Sequence, residues 1–197
     1  MIPGFLASGG IVRKDHVVAD GRHRNTSVNL ARLYMSPNNL DLLGDKLSRH
    51  LDPRVTAIVA PSEREHTFAA AVGMRAATGP VLILMDRSNE CRSRILIRPA
   101  KGTRMAIVTD IVLKPDRIED LVAVLRLANL EPVQVLAIWN GLADPTRLSA
   151  DVPAHALASE PIVSYVPSDC PVCTARRVAP RLGSHDRTRL GSIFPSA

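Results

Sequence analysis

Three features of this sequence point to an α/β protein with a mainly parallel, twisted sheet flanked by helices. The chain is 46% hydrophobic but only 3% aromatic, so its core must be built from Val, Leu, Ile and Ala, as in parallel strands covered on both faces. From Val55 to Trp139, short apolar runs alternate with helical patterns in a βαβαβ order. Residues 105–117, MAIVTDIVLKPDR, begin as a buried strand, reach Asp110 at its carboxyl end and lead into the helical run IEDLVAVLRLAN. Strand, tight turn and helix N-terminus is how α/β proteins build a site for a phosphorylated ligand. The turn nevertheless carries Leu113, Lys114 and Pro115, where a phosphate cradle needs small residues, hydroxyls and glycine.

The elements follow in order. HVVADGRHRNTSVNLARLY reads as two short extended segments around a turn at Asp20-Gly21. Ser36-Pro37-Asn38-Asn39 opens a helix over LDLLGDKLSRHL, which Asp52-Pro53 ends. A buried strand, VTAIVAP, a polar turn, SEREH, and an Ala-rich helix, TFAAAVGMRAAT, come next. Gly79-Pro80 leads to a third strand, VLILMD, and then to a long polar stretch, RSNECRSRILIRPAKG, expected as a hairpin or loop. The strand at 105–112, its helix and the strand VQVLAIW complete the alternation. The remainder reads as irregular, with short strands and a Pro/Arg/Gly-rich tail. A length of 197 residues suits one domain. Within it, 1–35 forms an N-terminal hairpin or hood, 36–145 the core sheet and 146–197 the C-terminal strands and basic tail.

The charge is +6, from 25 Lys+Arg against 19 Asp+Glu, and much of the excess lies in the tail, where Arg176, Arg177, Arg181, Arg187 and Arg189 face Asp186. Scattered arginine with almost no aromatic surface for base stacking argues against nucleic acid as a partner. No apolar run is long enough to span a bilayer. The start, MIPGFLASGGIVRKD, lacks the basic opening and apolar length of a secretory signal, so a cytoplasmic protein is expected. Three cysteines, Cys91, Cys170 and Cys173, are too few for a disulfide framework.

The order of pieces resembles the orotate phosphoribosyltransferases, of the type whose chain ends in a Cys-Pro-Leu-Cys tail. Asp20-Gly21-Arg22-His23 running into Ser27-Val28-Asn29 looks like the family's opening hairpin. Ile58-Val59-Ala60-Pro61 is similar to its second strand, and Met105 to Val112 to its phosphoribosyl diphosphate strand. Tyr165-Val166-Pro167-Ser168-Asp169-Cys170-Pro171-Val172-Cys173, with Pro180-Arg181-Leu182-Gly183-Ser184 after it, follows the family's tail. The resemblance implies a type I phosphoribosyltransferase fold and a homodimer in which a mobile loop covers a neighbour's site. Asp86-Arg87 resembles the acidic-basic pair of that loop, and Arg92, Arg94, Arg98 and Lys101 keep it basic.

The ligand motifs depart from the family's pattern. Its ribose-phosphate strand carries two acidic residues, which hold the ribose hydroxyls, and then Thr-Thr-Gly. Here the pair is Thr109-Asp110 and the turn is Leu113-Lys114-Pro115. Pro115 has no N–H to donate and Leu113 no hydroxyl. Its diphosphate turn has small residues and glycines; this chain has Ser62-Glu63-Arg64-Glu65-His66, which would turn two carboxylates toward a polyanion. Where the family sets an arginine against the orotate ring, Trp139-Asn140-Gly141 stands.

Asp110, Glu63, Glu65 and His66 are accordingly the candidates for acid/base chemistry, because carboxylate and imidazole at strand ends can move protons near neutral pH. Arg64, Arg87, Arg92, Lys114 and Asn140 are the candidates for holding a small organic or acidic substrate. The bland alternatives are a solvated turn with Ser62 or Glu65 capping the next helix, and an aspartate bonding its own turn. His16 and His23 are expected on the surface. Cys170 and Cys173 have half of a zinc-site spacing, but Cys91, His155 and His185 offer no partner pair, and the family tail looks the same without being a metal motif. The two cysteines are therefore read as structural, with no metal and no cofactor expected. The leading functional expectation is a member of the family repurposed for proton-transfer chemistry. A non-catalytic partner or regulatory subunit, and a phosphoribosyltransferase with an unusual acceptor, are the alternatives.

Overall fold

The computed structural model describes residues 6, 11–19, 21–76, 81–86, 94–95, 99–148, 151–176 and 181–182. In chain order the elements are β1 (Val12–Ala19), β2 (Arg22–Val28), α1 (Leu30–Tyr34), α2 (Pro37–Ser48), β3 (Ala57–Ala60), α3 (Glu63–Arg75), β4 (Val81–Asp86), β5 (Arg94–Ile95), β6 (Arg104–Val112), α4 (Asp116–Leu127), β7 (Glu131–Asn140), β8 (Ala154–Ser159), β9 (Ser164–Tyr165), α5 (Pro171–Arg176) and β10 (Arg181–Leu182). They fall into two compact units, Met1–Leu33 with Ile162–Ala197, and Tyr34–Pro161.

The unit made from both chain ends carries a four-stranded sheet in the order β10-β1-β2-β9. β1 and β2 form the expected hairpin, and Gly21 takes a φ of 69° at its turn, a conformation that costs a Cβ-free residue least. The pairing slips once. Lys14 faces Thr26 but Val17 faces Arg24, so β1 advances three residues while β2 advances two. This extra residue is a β-bulge, and it exchanges the faces of β1 on its two sides.

The central unit is a six-stranded sheet, β5-β4-β3-β6-β7-β8, parallel from β4 to β8 with β5 antiparallel at the edge. β8, in a region expected to be irregular with short strands at best, pairs along β7 from Val135 to Asn140. The strands β3 and β6 are buried along nearly their whole length, which is why they read as continuous apolar runs. Against one face α4 packs Ile118, Leu121, Val122 and Leu125, spaced as an amphipathic helix requires, onto Met105, Ile107, Val135 and Ala137. Gly44 of α2 lies so close to α3 that an added Cβ would sit 3.0 Å from the backbone of Ala71.

Two starts illustrate local chemistry. Ser36, in extended conformation, caps α2 by accepting the Asn39 N–H at 3.3 Å, with Pro37 in the first turn. The stretch SEREH is not a free turn: α3 begins at Glu63, directly after β3. Ser62 holds the extended N-cap conformation, its carbonyl accepts the Glu65 N–H, and no breaker separates these residues from the Ala-rich run.

β3 connects onward to β4 on one side, while its other neighbour, β6, connects to β7. The carboxyl ends of β3 and β6 thus flank the point where the strand order reverses, the place where open α/β sheets bind ligands.

Candidate functional site

β6 delivers Thr109 and Asp110 to that point, both buried. Asp110 Oδ2 accepts the Tyr34 hydroxyl at 2.6 Å, and Oδ1 accepts the backbone N–H of Ile111 at 2.6 Å. The Arg64 guanidinium, on the first turn of α3, approaches Oδ2 at 3.5 Å, with 43% of its own side chain exposed. The aspartate thus binds its own turn, as the bland reading expected, and in addition gathers two side chains.

Glu65 is the second carboxylate of the site. The expectation that it would face a ligand from a solvated turn is not met, because the helix starts early and rotates Glu65 inward to full burial. Its Oε2 accepts the Ser62 hydroxyl at 2.6 Å and is ion-paired with Arg117, while Oε1 accepts the Thr109 hydroxyl and, at 3.4 Å, the Asp110 N–H. Where the resemblance places a first acidic residue on β6, this chain has Thr109, and a carboxylate from α3 sits on the Thr109 hydroxyl. The site again holds two carboxylates, one of them brought by a different element.

Their proximity has an electrostatic consequence. Burial, and then the charge of Glu65, push Asp110 up to about 6, while the Tyr34 hydroxyl, Arg64 and the Ile111 N–H pull it back. Burial and the neighbouring Asp110 hold the Tyr34 phenol far above its ordinary value, so it remains a proton donor to the carboxylate.

The other sequence candidates are distributed as follows. His66 is half-buried on α3, and its Nε2 is buried with no hydrogen-bond partner among the described residues. Glu63 opens α3, but its side chain lies outside the described residues, as do Arg87, Cys91 and Arg92. Lys114 is exposed on the turn before α4. Pro115 sits at the N-cap of that helix, where its carbonyl accepts the Ile118 and Glu119 N–H groups. Asn140 spends its amide on the loop after β7: Oδ1 accepts the Leu142 N–H and Nδ2 donates to the Pro145 carbonyl, each at 3.0 Å. Two members of the site escaped sequence reasoning. Arg117 follows the strand-turn-helix motif directly and could have been found by its position; Tyr34 lies 76 residues from Asp110 and carries no local signal.

In the other unit the structure corrects two expectations. His16 and His23 are not surface residues of the hairpin. His23 is buried; the His16 ring meets the sulfurs of Cys170 and Cys173, and the His23 ring meets that of Cys173. The cysteines looked short of partners because those partners come from a hairpin some 150 residues earlier. His155 instead stacks on His50 in the central unit.

No family model matches the chain. The orotate phosphoribosyltransferase of Chlorobium phaeobacteroides is 22% identical over 178 residues, covering 88% of this chain and 89% of its own. That of Thermotoga petrophila is 25% identical over 191 residues, covering 93% and 98%. Among solved structures, orotate phosphoribosyltransferase from Aeropyrum pernix superposes with a TM-score of 0.65 at 20% identity, over 81% of this chain and 93% of that one. Adenine phosphoribosyltransferase from Leishmania tarentolae gives a TM-score of 0.59 at 16% identity, over 81% and 87%. The chain has the type I phosphoribosyltransferase fold and is a distant relative of the orotate phosphoribosyltransferases along nearly its whole length.

Proposed function

We propose that the site between the ends of β3 and β6 no longer serves phosphoribosyl diphosphate and instead carries out a proton-transfer reaction, such as a cyclisation, isomerisation or elimination, on a small organic or acidic substrate. The observation that carries this reading is Glu65, buried against Thr109 and Asp110 in the segment that follows β3. With α3 starting at Glu63, the backbone there is committed to a helix rather than open as a nest of N–H groups. At the head of α4, Pro115 withholds an N–H where a phosphate would be gripped. These two features lie on separate elements and oppose the same ligand.

The same residues suit proton transfer. A carboxyl held at about 6 populates both protonation states near neutral pH. The half-buried Tyr34 hydroxyl, bonded to Asp110 Oδ2, is the relay: its oxygen takes a proton from the substrate as its own proton passes to the carboxylate, and the reverse transfer protonates the product at another atom. Arg64, half-exposed and facing Asp110, gives an acidic substrate a cation to bind. Glu65, fully engaged, holds Arg117 and tunes Asp110 rather than touching substrate. A homodimer formed as in the family belongs to this reading.

Incubation with phosphoribosyl diphosphate, magnesium and orotate should yield no nucleotide; its formation would overturn the proposal. Metabolites that co-purify with the chain supply the candidate substrates. On a turned-over compound, Asp110→Asn should slow the reaction by about 100-fold or more, the ordinary worth of a positioned acid/base group. A second reading, a non-catalytic binding subunit, is favoured by the fact that the oxygens of both carboxylates already have partners within the protein. Under that reading Asp110→Asn would leave ligand turnover absent in both forms while changing stability.

A further inference from the structure

We propose that His16, His23, Cys170 and Cys173 form a structural zinc site that joins the N-terminal hairpin to the C-terminal segment of the same unit. One ligand atom from each of the four residues lies within 4.8 Å of all the others. His16 Nε2 is 3.3 Å from His23 Nδ1, 3.2 Å from Cys170 Sγ and 3.6 Å from Cys173 Sγ, and Cys173 Sγ is 3.2 Å from His23 Nδ1. For zinc–nitrogen bonds of about 2.0–2.1 Å and zinc–sulfur bonds of about 2.3 Å, tetrahedral geometry places nitrogens about 3.3 Å apart and sulfur about 3.5 Å from nitrogen. The four short distances match edges of that figure, and the remaining two pairs, Cys170 with Cys173 and with His23, lie within 4.8 Å.

Hydrogen bonding does not account for the arrangement. His16 Nε2 has three close neighbours but can carry a single proton, and each neighbour is itself a thiol or an imidazole nitrogen with at most one. Four electron-pair donors turned on one point call for a cation. Two sulfurs and two imidazoles select a borderline-soft, tetrahedral ion, and Zn²⁺ fits best. All four positions are filled by the protein, which marks a structural rather than a catalytic centre. On binding, each thiol gives up its proton, so that Zn²⁺ and two thiols become a neutral bis-thiolate complex and two released protons.

The fold builds the site from distant parts of the chain. Val18 pairs with His23 in the hairpin, and His16, two residues before Val18, shares their face. Cys170 precedes α5 and Cys173 lies one turn into it, with the Thr174 N–H and hydroxyl both bonded to the Cys170 carbonyl. That turn brings the two sulfurs to one side. Cys170 and His23 are buried, while His16 and Cys173 are half-buried, so the site is shielded but reachable by the ion.

The test uses the full chain purified without chelators. Elemental analysis should give one zinc per chain, and replacement by Co²⁺ should give the strong visible bands of tetrahedral cobalt with thiolate-to-cobalt charge transfer. Cys170→Ser and Cys173→Ser should each weaken zinc binding by at least 10-fold, whereas Cys91→Ser should not. His23→Cys keeps a ligand and should retain the ion while adding a third thiolate to the cobalt charge-transfer band, a gain that misfolding cannot imitate. Absence of zinc together with an octahedral cobalt spectrum lacking charge transfer would overturn the proposal. So would zinc binding that the Cys170 and Cys173 substitutions leave unchanged.

Discussion

Asp110 is the residue on which the proposed chemistry turns, and its environment gives a pH dependence of definite sign. A carboxyl raised from 3.8 to about 6 binds its proton more tightly in the folded chain than in the unfolded one. Its contribution to stability is therefore greatest below about pH 4 and is lost as pH rises through about 6, by roughly 2–3 kcal/mol in all. Denaturant midpoints of wild type and Asp110→Asn, compared from pH 4 to pH 7, should show wild type losing about that much relative to the variant; a constant difference would contradict the assignment. Glu65 makes a complementary case. Glu65→Ala strands the Arg117 guanidinium, the Thr109 hydroxyl and the Ser62 hydroxyl. A broken buried pair costs about 3–5 kcal/mol, and the partial exposure of Arg117 places this one near the lower bound, measurable by chemical denaturation. At this scale the sequence named Asp110, Arg64 and Glu65 but not how they meet. Tyr34 and Arg117 were missed for opposite reasons: one is remote in sequence, while the other stands beside the motif, where its position could have named it.

At the scale of elements, the buried strands β3, β6 and β7 and the helix α4 were legible, because a parallel strand covered on both faces writes a continuous apolar run and an amphipathic helix writes its period. The start of α3 was not, since Ser62-Glu63-Arg64-Glu65-His66 has the composition of a turn; only the burial of Glu65 reveals that its charge is neutralised within the protein. β8 was hidden for another reason. Ala154–Ser159 is an edge strand of small residues, weak in local signal and specified by its pairing with β7. Close helix packing supplies a test at this level. Gly44 allows α2 to approach the α3 backbone at Ala71, and Gly44→Val should lower stability by about 1–3 kcal/mol through overpacking, despite the better helix propensity of a side chain. An unchanged thermal midpoint would show that the two helices can separate without cost.

For the whole molecule, the order of motifs along the chain made the fold legible, whereas the union of the chain's two ends into one unit was not. His16 and His23 were read as surface groups because nothing near them in sequence could use them; the sheet that pairs β1 with β10 and β2 with β9 is what gives them neighbours. The proposed function is a fold kept and a ligand exchanged: the strand ends remain at the switch point, and on that proposal Glu65, Pro115 and the early start of α3 stand where a phosphate cradle would be. Calorimetric titration with phosphoribosyl diphosphate, with and without magnesium, tests that claim most directly. The account predicts no heat of binding at millimolar ligand in either condition. Saturable, magnesium-dependent binding at micromolar concentration would contradict it and return the chain to phosphoribosyl transfer.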